Sequence, residues 1–273
     1  MIFDLHSHST LSDGSLTPGE LLRRALDHGV GCLAITDHDT VAAYRGLDRK
    51  QVDGISLIPG VEFSSCWASL NIHVVGLNID PDSDALTRAV GQQQEARMNR
   101  AAQIAENLRR RGIDGALEGA RKFAASDNIG RPHFAQYLIE IGAVVDFGKA
   151  FRRYLGRGKA GDVRQFWPTL ETVVEWILGA GGTAVLAHPA HYKLSNTRLG
   201  LLADEFVAAG GTALEVVSGR QSPDIGRRLA DLAAAKSLLA SSGSDFHRPG
   251  APWNEVGQAS PMPRGCRPVW DSW

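Results

Sequence analysis

His6-Ser7-His8 sets two imidazoles one residue apart, and Asp13 follows within the same segment. Further along come Asp37-His38-Asp39, Glu62 and His73 standing singly, His188 before Pro189, and Asp245-Phe246-His247. Imidazole nitrogens and carboxylate oxygens are the donors expected around zinc, manganese or iron, and a His-x-His at a strand end can turn both rings toward one ion. Taken singly, the fragments say little: His73 reads equally as a packed strand residue, Asp13 as a turn residue beside Gly14, and His188-Pro189 as a loop entry. Their sum is informative, because six histidines and three carboxylates recur in comparable places along the chain. Thiol chemistry offers no rival. Cys32, Cys66 and Cys266 are odd in number and lack C-x-x-C spacing, so they read as unpaired thiols.

Those comparable places are strand ends. Short apolar runs predict seven strands, at 2–5, 31–35, 55–58, 72–77, 183–187, 214–217 and 238–241. Runs without alternation suit strands buried on both faces, as in a parallel sheet covered by helices. Thr17-Pro18-Gly19-Glu20 carries a capping hydroxyl, a proline at the first helical position and a glutamate three residues after the cap, which starts a helix ending near Gly29. Amphipathic patterns place further helices at 170–178, 199–209 and 223–235, and prolines from Pro249 onward favour irregular structure. In a β/α barrel the loops after the strands converge on one face. His6, His8, His38, His188, Asp245 and His247 follow predicted strands, Glu62 lies near the third, and His73 lies within the fourth.

The β/α rhythm lapses over about 88–164, where a long helical pattern at 85–111 leads into shorter ones; the expectation is one barrel domain over 1–273 with a helical insertion between strands four and five. Net charge is −1, yet residues 88–164 hold 15 Lys and Arg against 8 Asp and Glu. A basic insertion on an otherwise acidic molecule suits a lid over an anionic ligand, or a solvated helical surface. With 43% hydrophobic and 22% charged residues the composition excludes a disordered chain. No run approaches the roughly 20 apolar residues of a membrane span, and no signal sequence is evident. A cytoplasmic location, no membrane association and no obligatory protein partner are the expectations.

The blocks Asp4-Leu5-His6-Ser7-His8-Ser9, Thr36-Asp37-His38-Asp39, Pro59-Gly60-Val61-Glu62, His73-Val74-Val75-Gly76, Ala187-His188-Pro189 and Ser244-Asp245-Phe246-His247 resemble, in order, the motifs of the polymerase and histidinol phosphatase (PHP) family. The resemblance implies an α/β fold, a distorted (β/α)7 barrel of amidohydrolase type, with two to three divalent metal ions. Manganese comes first, with zinc or iron as alternatives. It implies His6, His8, Glu62 and Asp245 at one metal, Glu62, His73 and His188 at a second, and Asp13, His38 and His247 at a third. Several relatives carry histidine where this chain has Asp13, so third-site occupancy and metal choice stay open. A Glu62 bridge would hold two ions about 3.5–4 Å apart, close enough for one hydroxide to touch both and attack phosphorus in line. Glu62 and Asp245 then serve catalysis through the metals, and no side-chain nucleophile is needed.

Gly130-Arg131-Pro132-His133 opens a helical run at 134–141 within the insertion. Arg131 suits bidentate phosphate binding and His133 a second hydrogen bond, or the segment is a helix-start turn with an exposed arginine. His191, three residues past His188, is suited to bind phosphate or protonate a leaving oxygen, or is a loop histidine; Arg220, after the sixth strand, is a further candidate substrate contact. Within the family the chain looks most like the 3′,5′-nucleotide bisphosphate phosphatases. That implies hydrolysis of the 3′-phosphate of a nucleoside 3′,5′-bisphosphate, such as adenosine 3′,5′-bisphosphate to AMP. A 5′→3′ exoribonuclease on short RNA is an alternative, since Phe123, Phe134, Tyr137, Phe147, Phe151 and Tyr154 lie in the basic insertion, where they serve either stacking or its core. Histidinol-phosphate phosphatase is another. Outside enzymes, a metal-stabilised accessory domain predicts missing ligands, whereas this chain keeps the full set.

Overall fold

Residues 1–45, 47, 54–124, 127–163 and 166–273 are described by the computed structural model. The chain alternates β1 (Ile2–Asp4), α1 (Pro18–Asp27), β2 (Val30–Ile35), β3 (Ser56–Trp67) and β4 (Leu70–Leu77) before the helices α2 (Asp84–Arg109), α3 (Ala116–Arg121), α4 (Arg131–Glu140) and α5 (Phe147–Ala150). It then resumes with α6 (Leu170–Gly179), β5 (Thr183–Leu186), α7 (Asn196–Ala208), β6 (Ala213–Ser218), α8 (Pro223–Ala235) and β7 (Leu239–Gly243). The Thr17 capping box forms, and Gly29 beyond the helix takes φ 74°, a value that needs glycine. Past β7 the chain is irregular apart from a short 3-10 turn at Val269–Ser272.

The seven strands form one sheet in sequence order. Backbone bonds from Leu5 N–H to the Ser242 carbonyl (3.0 Å), Asp245 N–H to that of His6 (2.9 Å) and His8 N–H to that of Phe246 (2.8 Å) bring its first and last edges together. The result is a nearly closed, seven-stranded α/β barrel. It is not parallel throughout, as the apolar runs suggested: β4 runs antiparallel to both β3 and β5. The cause is local. Ala68 and Ser69 both take positive φ (43° and 64°), as in a type I′ turn, and such a two-residue connection can join only antiparallel strands. β3 consequently extends well past residue 58, pairing Gly60–Trp67 against β4.

Each strand divides its side chains between two cores. Leu5, Cys32, Ala34, Val75, Leu77, Val185, Ala187 and Ala213 meet inside the barrel, where Phe3 stacks on Trp270 at 4.0 Å. The alternate residues Leu33, Ile35, Val74, Leu186 and Leu214 pack outward against the helices. α2, about 39 Å long at 1.5 Å per residue, spans two clusters: Leu86 and Ala89 pack on the barrel, while Ala101, Ile104 and Leu108 join a separate core with α3 and α4. The expected insertion end, residue 164, lies outside the described residues.

Tyr44 pins the strands where the site begins. Its buried hydroxyl donates to the Ile35 carbonyl at 2.6 Å, with the Ile58 carbonyl 3.0 Å away, and accepts from the N–H groups of Gly60 (2.9 Å) and Ile35 (3.1 Å). Tyr44→Phe should leave those buried groups short of partners and cost about 1–3 kcal/mol in urea unfolding. A loss under about 0.5 kcal/mol would deny the hydroxyl this role.

Candidate metal centre

Six imidazoles and three carboxylates from opposite ends of the sequence meet at the mouth of the barrel. His6 and His8 leave β1, His38 leaves β2, and Glu62 sits on β3 just beyond the point where β2 stops pairing with it. His73 lies early in β4, and because β4 runs antiparallel, its early residues lie at the end where the parallel strands finish. His188 follows β5, and Asp245 and His247 follow β7. Three of the eight non-glycine residues at positive φ among the described residues lie here, Asp39 (56°), His188 (26°) and Asp245 (53°). Such backbone is held only where its surroundings over-determine it, and it marks functional sites.

Glu62, 1% exposed, is the hub. Its Oε1 lies 2.9 Å from both His73 Nδ1 and His188 Nε2, and its Oε2 lies 2.9 Å from His38 Nδ1, 3.3 Å from His8 Nε2 and 3.4 Å from His6 Nε2. Asp245 Oδ1 approaches His6 Nε2 at 3.6 Å and His8 Nε2 at 3.4 Å, while Asp13 lies 3.3 Å from His247 Nε2 and 3.8 Å from His38 Nε2. Burial works to raise the Glu62 pKa, but His38, His73 and His6 hold the carboxyl well below its usual range. Burial and then His247 drive His8 down to about 3, whereas Asp13 and Asp245 overcome burial to raise His247 to about 10.

These residues fit divalent ions. His6 Nε2, His8 Nε2, His38 Nδ1 and Glu62 Oε2 are buried with no hydrogen-bond partner, a costly arrangement unless something else satisfies them. Groups able to hold an ion, each with donor atoms within 4.8 Å of one another, are His6, His8 and Asp245; His6, Glu62 and His188; His38, Glu62 and His73; and His8, Asp13, His38 and His247.

Residues 4–126 match the PHP domain. Over 277 residues the chain is 45% identical to the 5′-3′ exoribonuclease Rnm of Escherichia coli, covering 100% of this chain and 94% of that protein. It is 43% identical over 269 residues to the 3′,5′-nucleoside bisphosphate phosphatase of Chromobacterium violaceum, covering 98% and 94%. A solved amidohydrolase structure from Chromobacterium violaceum, with bound sulfate and no metal, matches with a TM-score of 0.90 at 42% identity, over 100% of this chain and 95% of that one. The chain belongs to the PHP family. It is a metal-dependent phosphoesterase.

Around the PHP cluster stands a layer of acids that hold its loops. Asp37 accepts from Ser9 N–H (2.7 Å) and from the hydroxyls of Ser9 (2.5 Å) and Ser12 (2.6 Å); Asp4 accepts from the N–H groups of Ser244 and Gly257, both at 2.8 Å. Asp39 accepts from Ser64 and pairs with Arg97. Glu215 is a member the sequence reading missed: its carboxylate takes His6 Nδ1 at 3.0 Å and His188 N–H at 2.5 Å. The signal was an acid inside the apolar run Leu214-Glu215-Val216-Val217, on the phase that faces the barrel interior.

The expected substrate contacts divide. His191 borders the cluster, its ring stacked on His188 at 5.2 Å, in a cavity of about 630 Å³ shared with Asp13, Asp245 and His247. Arg131 lines a cavity of about 60 Å³ beside Asp13, His38 and His73 and another of about 300 Å³ with Arg157, His191 and Lys193. His133 lines none of these three: it is buried, its Nδ1 accepts from Gly130 N–H at 2.9 Å, and its ring bonds the Ser12 backbone, so it caps α4 and ties it to the Asp13 loop. Arg220 is turned to Gln258 on the C-terminal segment and lines none of the three either.

Outer partners that fix a ligating histidine typically change metal affinity 10–100-fold when lost. Glu215→Gln should therefore raise the metal concentration needed for half-maximal activity by about that factor, with the circular dichroism spectrum unchanged. An unaltered metal titration would remove Glu215 from the site.

Proposed function

We propose that this protein hydrolyses the 3′-phosphate of nucleoside 3′,5′-bisphosphates, converting adenosine 3′,5′-bisphosphate to AMP. His6, His8, Glu62 and Asp245 would hold one divalent ion, Glu62, His73 and His188 a second, and Asp13, His38 and His247 a third. Manganese is the first choice by resemblance to the family, with zinc or iron next; nitrogen and oxygen donors without a thiolate suit all three. The observation that carries the reading is a cation-lined rim adjoining the ligand cluster, with Arg131 in one cavity with His38 and His73 and in the next with Arg157 and Lys193. The basic helical insertion about 88–164 thus acts as the substrate-binding lid.

Bound ions supply an activated water and neutralise the phosphoryl oxygens, the main demand of phosphoryl transfer. Glu62, with one oxygen toward His73 and His188 and the other toward His6, His8 and His38, keeps the metal sites in fixed relation. Arg131 anchors the 5′-phosphate, so the scissile group arrives oriented. His191, on the cavity side of His188, delivers a proton to the departing 3′-oxygen. A second reading, 5′→3′ trimming of short RNA, is favoured by the 630 Å³ cavity, in which Phe147 and Phe151 offer stacking surfaces beside the cluster.

If Arg131 and the 5′-phosphate position the scissile group, kcat/KM for adenosine 3′,5′-bisphosphate should exceed that for adenosine 3′-monophosphate by about 10-fold or more, the scale of a lost charge-assisted bond. Arg131→Ala should raise KM for the bisphosphate by a similar factor. Equal kcat/KM for the two nucleotides sinks the two-phosphate reading, and a large preference for short 5′-phosphorylated RNA over both makes the enzyme an exonuclease. As a proton donor, His191 should matter only for a poor leaving group. His191→Gln should lower kcat about 100-fold on the nucleotide and far less on p-nitrophenyl phosphate; equal losses would make it a binding residue.

A further inference from the structure

The insertion carries a second group of charges, apart from the metal cluster. Residues 147–161 hold five Lys and Arg and no Asp or Glu. Four of the five, Lys149, Arg152, Arg153 and Lys159, are exposed, and among the described residues they make no ion pair. At the end of α2, by contrast, Arg109 and Arg110 both pair with Glu106, at 2.8 and 2.9 Å. Lys149 stands three and four residues before Arg152 and Arg153, where α5 runs on into a π-helical turn at Phe151–Leu155. Like charges at that spacing destabilise a helix, and π-helical turns occur mostly at functional sites. An anion lying across the group relieves the repulsion.

The four cations line a groove of about 600 Å³, whose remaining wall is the small apolar stretch 142–145 and which contains no acid. None of the metal ligands reaches it. The other side of the same segment borders the metal cavity through Phe147, Gly148 and Phe151. Residues 147–153 therefore form a crest, with aromatic rings toward the metals and cations toward the groove. Gly148 leaves the crest without a side chain, and a Cβ there would lie 3.3 Å from Arg152 Nη1. A helical turn with its side chains is about 10–12 Å across, and a stacked strand advances about 3.4 Å per nucleotide, so roughly three or four nucleotides carry a chain over it. A single nucleotide in the metal cavity does not reach that far.

We propose that Lys149, Arg152, Arg153 and Lys159 form a second binding site, a track for the sugar-phosphate backbone of single-stranded RNA whose 5′ end lies in the metal cavity. Exposed, flexible cations hold a repeating phosphodiester without reading its sequence. Phe147 and Phe151, on the metal side of the crest, give the bases surfaces on which to stack before the chain crosses. RNA as the occupant rests on the 5′→3′ trimming reading above; the polyanion track does not.

The test is fluorescence anisotropy of the metal-loaded protein with 3′-labelled, 5′-phosphorylated phosphorothioate oligouridylates of two and ten nucleotides, over a range of salt. Wild type should bind the longer chain at least about 10-fold more tightly at low salt, because only that chain reaches the track. Replacing Lys149, Arg152 and Arg153 together by Gln should bring the longer chain close to the affinity of the shorter. It should also make the log–log salt dependence shallower by about 2, since each phosphate contact on a single strand contributes about 0.7. Binding of the dinucleotide and turnover of adenosine 3′,5′-bisphosphate should not change. Arg152→Lys with Arg153→Lys should keep the wild-type salt dependence, because the track reads charge and not the guanidinium fork. An affinity independent of length in wild type overturns the track, and so does an unaltered salt dependence in the triple variant. Competition by polyglutamate or by phosphatidylglycerol vesicles as strong as that by RNA of equal charge gives the surface to a protein or a membrane and overturns the RNA occupant. Length-dependent binding without trimming removes the exonuclease reading and leaves the track; trimming without length-dependent binding does the reverse.

Discussion

One buried carboxylate organises the molecule. Glu62 lies within 3.4 Å of nitrogens from five histidines that arrive on four different strand ends or strands. A carboxylate removed from water is tolerated only with compensating charge or hydrogen bonds, and here imidazoles supply them. The compensation is incomplete, because Glu62 Oε2 and facing nitrogens of His6, His8 and His38 have no hydrogen-bond partners. That shortfall fits the metal dependence of the family, since a divalent ion can satisfy all of these atoms together.

The rest of the barrel mouth is built to keep that group from collapsing. Asp4, Asp37, Asp39 and Glu215 are buried acids that accept bonds from loop N–H groups, hydroxyls, an arginine and a histidine, and each ties together segments remote in sequence. Asp4 joins the first strand to the chain beyond the last, where the backbone bonds of Leu5 and Asp245 bring the sheet edges together. The left-handed backbone at Asp39, His188 and Asp245 is the local cost of aiming side chains inward from strand ends.

α2 couples this centre to the insertion. Its buried face runs Leu86, Ala89, Gln93, Arg97, Arg100, Ala101, Ile104 and Leu108. Apolar residues hold either end, to the barrel core on one side and the insertion core on the other, and polar residues occupy the seam between. Gln93 donates to the Ser64 carbonyl at 2.6 Å and Arg97 pairs with Asp39, so the helix grips the strand that carries Glu62. Positive charge thus reaches the metal centre on a rigid rod rather than on a loop, which suits the orientation of a charged substrate.

Much of this was legible in the residue order. Strand existence followed from apolar runs, the Thr17 cap from its own four residues, and the candidate ligands from their motif blocks, because each of these signals is local or repeats at a fixed period. Residues 61–67 alternate, Val61 and Phe63 with Glu62 and Ser64, before a break at Ser65, so they form no apolar run; the extension of β3 went unread, and with it the hairpin that reverses β4 and brings His73 to the mouth. Arg97 and Arg100 stood at buried-face spacing in a helix whose basic residues read either as a lid over an anion or as a solvated surface, and Glu215 stood inside an apolar strand. Sequence alone settled which residue types could bind metal and roughly where the strands begin. Only the tertiary structure decided which polar residues face inward, turning His133 into a helix cap and Arg220 toward Gln258 while burying Arg100. The physical reason is that the role of a polar side chain is set by the partners around it, and those partners come from segments that chain order does not place side by side.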